Sequence, residues 1–279
     1  MKANLSVIIP TLSNVKGLKY LLNYFKDKPY KVVVIDNKKK NLGFAGSVNK
    51  GAKNIKTKWM LILNDDIEFF EKMSNIKYQI SNKSQILKYK NKKQNTIETL
   101  IQFAEKEKLD VVSPVLRNPN GRIENYGYKV LPYGKVELVK SVKSVRSVES
   151  EKLDGLTAAC LLIKTKVFKK LKGFDKSFFA YLEDVDFFLR LSASRRIAQD
   201  KSFGIAYDVK VLHNHMTTSK TMGNFKARQD MINWWRLYFK HKEKFKFNFK
   251  FILERLKNFS GFIKATFPSF FSFQRNVHG

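Results

Sequence analysis

The sequence holds one cysteine, Cys160, inside an apolar run, so no intramolecular disulfide can form and a reducing cytoplasm is the simpler setting. It has no uninterrupted apolar run of membrane-spanning length, which excludes a spanning helix. The apolar segment within MKANLSVIIPTLSN is broken by Pro10 and is too brief for the core of a signal peptide. Acidic residues are scarce. Against 54 Lys and Arg stand 24 Asp and Glu, a formal net charge of +30, so the expected partners are anionic: nucleic acid, acidic lipid headgroups or phosphorylated substrates. What is present excludes a disordered chain, since 43% of the residues are hydrophobic and 24 are Phe. At 279 residues, one large domain or one domain with an appendage is expected, soluble or peripheral on the inner face of the cytoplasmic membrane.

Residues 59–68, WMLILNDDIE, organise the rest. An apolar run of strand length stops at Asn64-Asp65-Asp66, which puts two carboxylates where the strand's C-terminal end meets solvent. Open α/β sheets carry their chemistry on that edge. Adjacent aspartates suit a hard divalent cation, Mg²⁺ or Mn²⁺, and leave coordination positions open for a diphosphate. A polar turn after a buried strand is the alternative.

Residues 5–9 form a similar run that ends at Pro10-Thr11, followed by Val15, Leu18, Leu21, Leu22 and Phe25 at helical spacing. Residues 31–35, KVVVI, end at Asp36-Asn37, and Ala45, Val48, Ala52 and Ile55 mark a helix behind the glycine-containing stretch 41–46. Strands separated by helices predict a parallel, Rossmann-like sheet with three polar tips on one edge. Residues 72–108 read as a mostly exposed helical region, 110–115 and 156–163 as further strands, 117–121 as a turn, and 126–148 as a hairpin or a mobile loop.

Glu183, Asp184 and Asp186 follow an aromatic cluster. Three acids in four residues are costly to desolvate unless a metal, a cation or a substrate hydroxyl engages them. A helix starting here would also favour acids in its first turn through its dipole alone. Further on, His213 and His215 sit at a spacing that lets both reach one site from an extended segment, or they are incidental surface residues.

In their order, VIIPT (7–11), VVIDN (33–37), NLGFAGSVNKG (41–51), LILNDDIE (61–68), DGLTAACLLIKTKVF (154–168), GFDKSFFAYLEDVDFFLR (173–190) and VLHNH (211–215) resemble the inverting glycosyltransferases of family two, which have the GT-A fold. Within them the bacterial rhamnosyl- and galactofuranosyltransferase-like branch is the most similar. The resemblance implies an α/β catalytic domain over residues 1–240, with a mostly parallel central sheet flanked by helices, and a basic helical tail over 241–279.

The same resemblance implies roles. Pro10, Thr11, Asp36 and Asn37 would line the nucleotide pocket, with Asp36 accepting a hydrogen bond from the base. Asn41, Gly43, Phe44 and Asn49 would shape the loop around nucleotide and sugar, where glycine permits close backbone approach. Asn64, Asp65 and Asp66 would occupy the family's Asp-x-Asp position, with Asn in place of the first Asp and Asp66 as principal metal ligand. Asp184 would be the catalytic base beside Glu183, and His213 or His215 would complete the metal or diphosphate site. Asp154 and Gly155 would lie on the acceptor side. The implied donor is a UDP- or TDP-linked sugar, the acceptor a glycan or a lipid-linked molecule of cell-surface polysaccharide synthesis, and the cofactor Mn²⁺ or Mg²⁺.

Two other functions compete. A nucleotidyltransferase would share the fold, but no glycine-rich phosphate loop with a basic signature follows the first strand. A nucleic-acid-binding protein would explain the charge, yet the basic residues are spread along the chain and the acidic clusters would repel phosphates, so no specific nucleic acid is expected. In the tail, Phe249, Ile252, Leu253, Leu256, Phe259 and Ile263 fit a helical stripe opposite Lys and Arg, suited either to an anionic membrane surface or to packing on the domain or a second subunit.

Overall fold

The structure is a computed structural model that describes residues 4–12, 14–69, 95–140, 153–194, 202–214 and 224–267. Residues 72–94 of the expected helical region over 72–108, residues 141–148, His215 and the last twelve residues of the tail lie outside the described residues.

The elements run β1 (Leu5–Thr11), α1 (Val15–Phe25), β2 (Lys31–Asp36), α2 (Gly43–Ala52), β3 (Trp59–Leu63), β4 (Ile67–Phe69), α3 (Thr96–Lys106), β5 (Val111–Arg117), β6 (Ile123–Asn125), β7 (Tyr128–Leu131) and β8 (Lys135–Leu138). They continue with β9 (Cys160–Lys164), α4 (Thr165–Lys170), α5 (Glu183–Ser194), β10 (Phe203–His213), α6 (Phe225–Lys240) and α7 (Phe249–Thr266). The central sheet has the order β2-β1-β3-β9-β5-β10-β4, with β6 paired to β5.

β1 is buried along its whole length, which is why it reads as a continuous apolar run rather than an alternating one. Its alternate residues part to opposite faces. Leu5, Val7 and Ile9 pack with Leu21 and Phe25 of α1 and with Ile97 and Leu100 of α3. Ile8 packs on the other face with Ala45 and Val48 of α2 and with Phe187 and Phe188 of α5. The sheet is thus covered by helices on both sides.

β1 lies parallel to β2 and β3, with Thr11 level with Asp36, so the polar tips of the first three strands reach one edge as expected. β5 and β10 run the same way. β9 runs against its neighbours β3 and β5, and β4 against β10. The reversed β9 starts on the edge where the others end, which brings the backbone of Ala158 and Ala159 there; Asn64 N–H donates to the Ala159 carbonyl at 2.9 Å. Of the hairpin or mobile loop expected over 126–148, the strands β7 and β8 form a hairpin. Its carbonyl at Gly134 accepts the guanidinium of Arg255, which ties α7 to the hairpin.

Candidate active site

At the end of β1, Thr11 Oγ1 donates to Asp65 Oδ2 at 2.6 Å, and Asn14, which caps α1, donates through Nδ2 to the Asp65 carbonyl at 2.8 Å. Burial pushes the Asp65 carboxyl up to about 6, opposed by the Thr11 hydrogen bond and assisted by the negative charge of Asp66. At the end of β2, Asn37 Oδ1 accepts from Leu42 N–H at 3.1 Å and from Ser47 Oγ at 2.8 Å, which folds the intervening loop onto α2. Gly43 holds φ +68°, and a Cβ there would sit 2.4 Å from the Phe179 carbonyl, so glycine is needed both for the backbone and for the approach.

The pairing of β10 with β4 sets His213 opposite Ile67. Asn214 continues the match, donating its N–H to the Asp66 carbonyl at 2.9 Å and its Nδ2 to Glu68 at 2.7 Å. The imidazole of His213 therefore lies between two carboxylates: Nδ1 is 2.9 Å from Glu124 Oε2, and Nε2 is 3.3 Å from Asp66 Oδ1. Burial alone would lower its pKa, but the contacts with Asp66 and Glu124 outweigh that and raise it to about 9. Glu124 was not expected from the sequence. It sits in a three-residue strand after a turn, with no local pattern to mark it.

The second acidic cluster rests on an unusual turn. Phe179, Tyr181 and Leu182 hold φ of 56°, 68° and 66°, conformations disfavoured for residues with a Cβ that persist only where the surroundings enforce them. The enforcing group is Asn233 of α6, fully buried, whose Nδ2 lies within 2.8–2.9 Å of the carbonyls of Phe178, Ala180 and Tyr181. The turn delivers Glu183 and Asp184 to the first residues of α5. Asp184 Oδ1 accepts Val185 N–H at 2.8 Å, and Oδ2 lies 3.4 Å from Ala158 N–H. Burial raises Asp184 to about 6 in spite of these bonds. Glu183 is raised well above the ordinary range, first by burial and then by the Asp184 charge. Asp186 faces away, fully buried, and is bound by Arg190, Lys240 and His241 at 2.8, 2.8 and 2.9 Å.

Both clusters open on one cavity of about 480 Å³. Of the residues singled out in the sequence, Pro10, Thr11, Asn37, Asn41, Gly43, Phe44, Asn64, Asp65, Asp66, Glu183, Asp184 and His213 line it. Ala158, Tyr181, Phe225, Lys226 and Asp230 add walls that the sequence did not indicate.

Four singled-out residues are not among the lining residues. Asp36 is exposed on the strand beside Thr11, its Oδ1 accepting Lys38 N–H at 2.8 Å. Asn49 bonds both ways with the Phe174 backbone at 2.7 and 2.9 Å, which fastens α2 to the segment before α5. Asp154 accepts Val130 N–H at 2.8 Å and so holds the hairpin. Gly155 bridges to Tyr128, and a Cβ on it would lie 2.2 Å from the Tyr128 hydroxyl. Gly155→Ala is accordingly expected to lower stability by about 1–3 kcal/mol through overpacking, read as a drop in Tm.

Asn64 Oδ1 is buried with no hydrogen-bond partner among the described residues, and the buried Asp66 Oδ1 faces His213 Nε2 at 3.3 Å. An unpartnered amide oxygen beside a carboxylate at a strand end fits a hard divalent cation. No group of three or more His, Cys, Asp or Glu among the described residues could hold a metal unaided. A cation of the Mg²⁺ type takes one or two protein ligands and completes its shell with substrate phosphates and water.

Residues 6–74 match the protein-family model described as glycosyl transferase family 2. Among solved structures, S. aureus TarS is similar at a TM-score of 0.52 and 14% identity, over 96% of this chain and 44% of its own. The mannosyltransferase PcManGT from Pyrobaculum calidifontis, solved in complex with GDP-Man and Mn²⁺, is similar at a TM-score of 0.51 and 12% identity, over 85% of this chain and 65% of its own. The chain thus spans less than half the length of the first and under two thirds of the second. At these identities the likeness is one of fold, and the fold is GT-A. No curated protein sequence matches the chain.

Proposed function

We propose that the chain is an inverting glycosyltransferase that moves a sugar from a nucleoside-diphosphate sugar to a hydroxyl of a glycan or lipid-linked acceptor, with Mn²⁺ or Mg²⁺ as cofactor. The observation that carries this reading is the pairing of two different acidic clusters on one cavity: Asn64-Asp65-Asp66 at the sheet edge and Glu183-Asp184 at the start of α5. The family match over residues 6–74 includes the first of them.

Asn64 and Asp66 would hold the cation, which supplies Lewis-acid neutralisation of the charge that develops on the diphosphate leaving group. Thr11, Asn37, Asn41 and Gly43 shape the wall for the donor. An acceptor hydroxyl is a poor nucleophile, so Asp184 takes its proton as the oxygen attacks the anomeric carbon. Burial and the Asp184 charge raise the pKa of Glu183, which favours its neutral form and limits the negative charge beside the base. Attack and departure on opposite sides of the carbon invert its configuration and need no covalent enzyme intermediate. Tyr181 and Phe225 provide apolar surface on the same cavity where the flat face of an acceptor sugar can rest.

The test is a thermal-shift panel of UDP, TDP, GDP and CDP, each with Mn²⁺, Mg²⁺ or EDTA. A nucleotide about 100-fold above its Kd adds about 2.7 kcal/mol to the folded state, which is roughly 5 °C or more for a chain of this size. One nucleotide should raise Tm with metal and not with EDTA. Folded protein that responds to none of them would end the transferase reading. Once a donor is known, proton NMR of the first product formed should show the anomeric configuration opposite to the donor's.

A further inference from the structure

We infer that α7 is an interfacial helix that seats the protein on an anionic bilayer. The helix is docked with its polarity inverted. The face turned to the protein carries Arg255 and Asn258 along with Phe251, whereas Phe249, Leu256 and Phe259 are 73%, 56% and 51% exposed. Arg255 is buried over the Trp234 ring at 4.5 Å, so the inward face is fixed and the helix is not free to roll its apolar side under. Ile252 and Leu253 continue the outward stripe, and Phe239 and Phe247 extend it through ring contacts with Trp235 and Phe251.

Charge chooses the occupant. Lys250, Lys257 and Lys264, one heptad apart and all exposed, form a row beside the apolar stripe, with Lys250 over the Tyr133 ring and Lys257 paired with Glu254. An apolar stripe flanked by lysines is the pattern of a helix lying in the headgroup layer, where each basic residue adds attraction to acidic lipid. A second copy of the chain on the same face would bring two such rows together, and the net charge of +30 on each copy would oppose it further. Among the described residues no helix is long and apolar enough to cross a membrane, so the attachment is to a surface.

The placement bears on the acceptor, a step that rests on the transferase reading. Thr266 at the end of α7 accepts from Asn224 Nδ2 at 2.8 Å, and the next residues, Phe225 and Lys226, line the cavity. Seating α7 in the headgroups would therefore hold the cavity near the bilayer, where a lipid-linked acceptor presents its hydroxyl.

Co-sedimentation of the full chain with vesicles needs no donor or acceptor, so it is decided independently of the reaction. Vesicles of phosphatidylcholine alone and of phosphatidylcholine mixed with phosphatidylglycerol are compared at low and at physiological salt. The wild type should pellet with the anionic vesicles at both salt levels. Leu256→Gln with Phe259→Gln, which leaves the net charge unchanged, should lower the partition coefficient roughly tenfold or more. Both residues are exposed, so the variant should melt with the wild type. If it does not, Phe249→Gln alone reads the same loss. Equal pelleting of variant and wild type, or binding that vanishes at physiological salt, would reduce the effect to diffuse charge and overturn the inference. Absence of pelleting would also overturn it, and a stripe-dependent dimer in sedimentation velocity would then assign the face to a second copy.

Discussion

Asp184→Asn is expected to lower kcat for sugar transfer by about 10³-fold while the metal-dependent nucleotide shift in Tm stays as in the wild type. Asparagine keeps the size of the side chain and its place at the start of α5, where the carboxylate accepts Val185 N–H at 2.8 Å, but it cannot take a proton. General-base assistance contributes about 10²–10⁴-fold, which sets the expected loss. The wild-type pH profile provides a second reading. With Asp184 as the proposed base, transfer would need the ionised carboxylate, and burial raises this group to about 6, so at saturating donor kcat should fall about tenfold per pH unit below that value. An ordinary aspartate would hold its charge to about pH 4. The residual rate of the variant should lack that limb. Turnover within a few-fold of wild type would move the base elsewhere in the cavity.

Asp186→Asn is expected to cost about 3 kcal/mol of stability, a fall in Tm of roughly 6–12 °C. Asp186 is wholly buried, and its two oxygens serve Arg190, Lys240 and His241. Removing its charge leaves the Arg190 and Lys240 cations facing a neutral amide. The loss sits at the lower end for a buried pair because Arg190 and Lys240 reach solvent. Burial would raise the pKa of Asp186, but the hydrogen bond from His241 and the charges of Arg190 and Lys240 outweigh it and hold it below the ordinary value. A depressed carboxylate stabilises the fold above its unfolded pKa, near 4, and that contribution is lost as pH falls through the folded value. Urea denaturation should therefore show the two proteins far apart at pH 7 and converging below about pH 4. An equal gap at both pH values would mean that packing, and not charge, is what the substitution disturbs.

The parts legible in the sequence were those with local periodicity. The runs that became β1, β2 and β3 are apolar over strand length because helices cover both faces, and their polar tips are visible as the residues at which each run stops. Apart from Asp36, the motif residues at those tips line one cavity. Hidden from the sequence were contacts made across it. The direction of β9 depends on its partners and not on its own composition. Glu124 meets His213 across 89 residues, and Asn233 meets the carbonyl of Phe178 across 55. Asn49 and Asp154 carry motif positions, yet their hydrogen bonds go to backbone. A polar side chain in a motif is equally compatible with a ligand and with a loop fastening, and only the partner distinguishes them.

The dependence of the Phe179–Leu182 backbone on α6 has a kinetic consequence. The hydrogen bonds of Asn233 to the turn and of Lys240 and His241 to Asp186 come from residues after 224, whereas that of Asn14 to Asp65, though it spans 51 residues, lies within the first 65 residues of the chain. Contacts among the first 65 residues can form as the chain emerges, but the turn that carries Asp184 waits for α6 to dock. A nascent or nicked chain lacking residues beyond 224 would lack the Asn233 fastening of this turn. Docking of the last helices thus completes the wall of the cavity that Glu183 and Asp184 line.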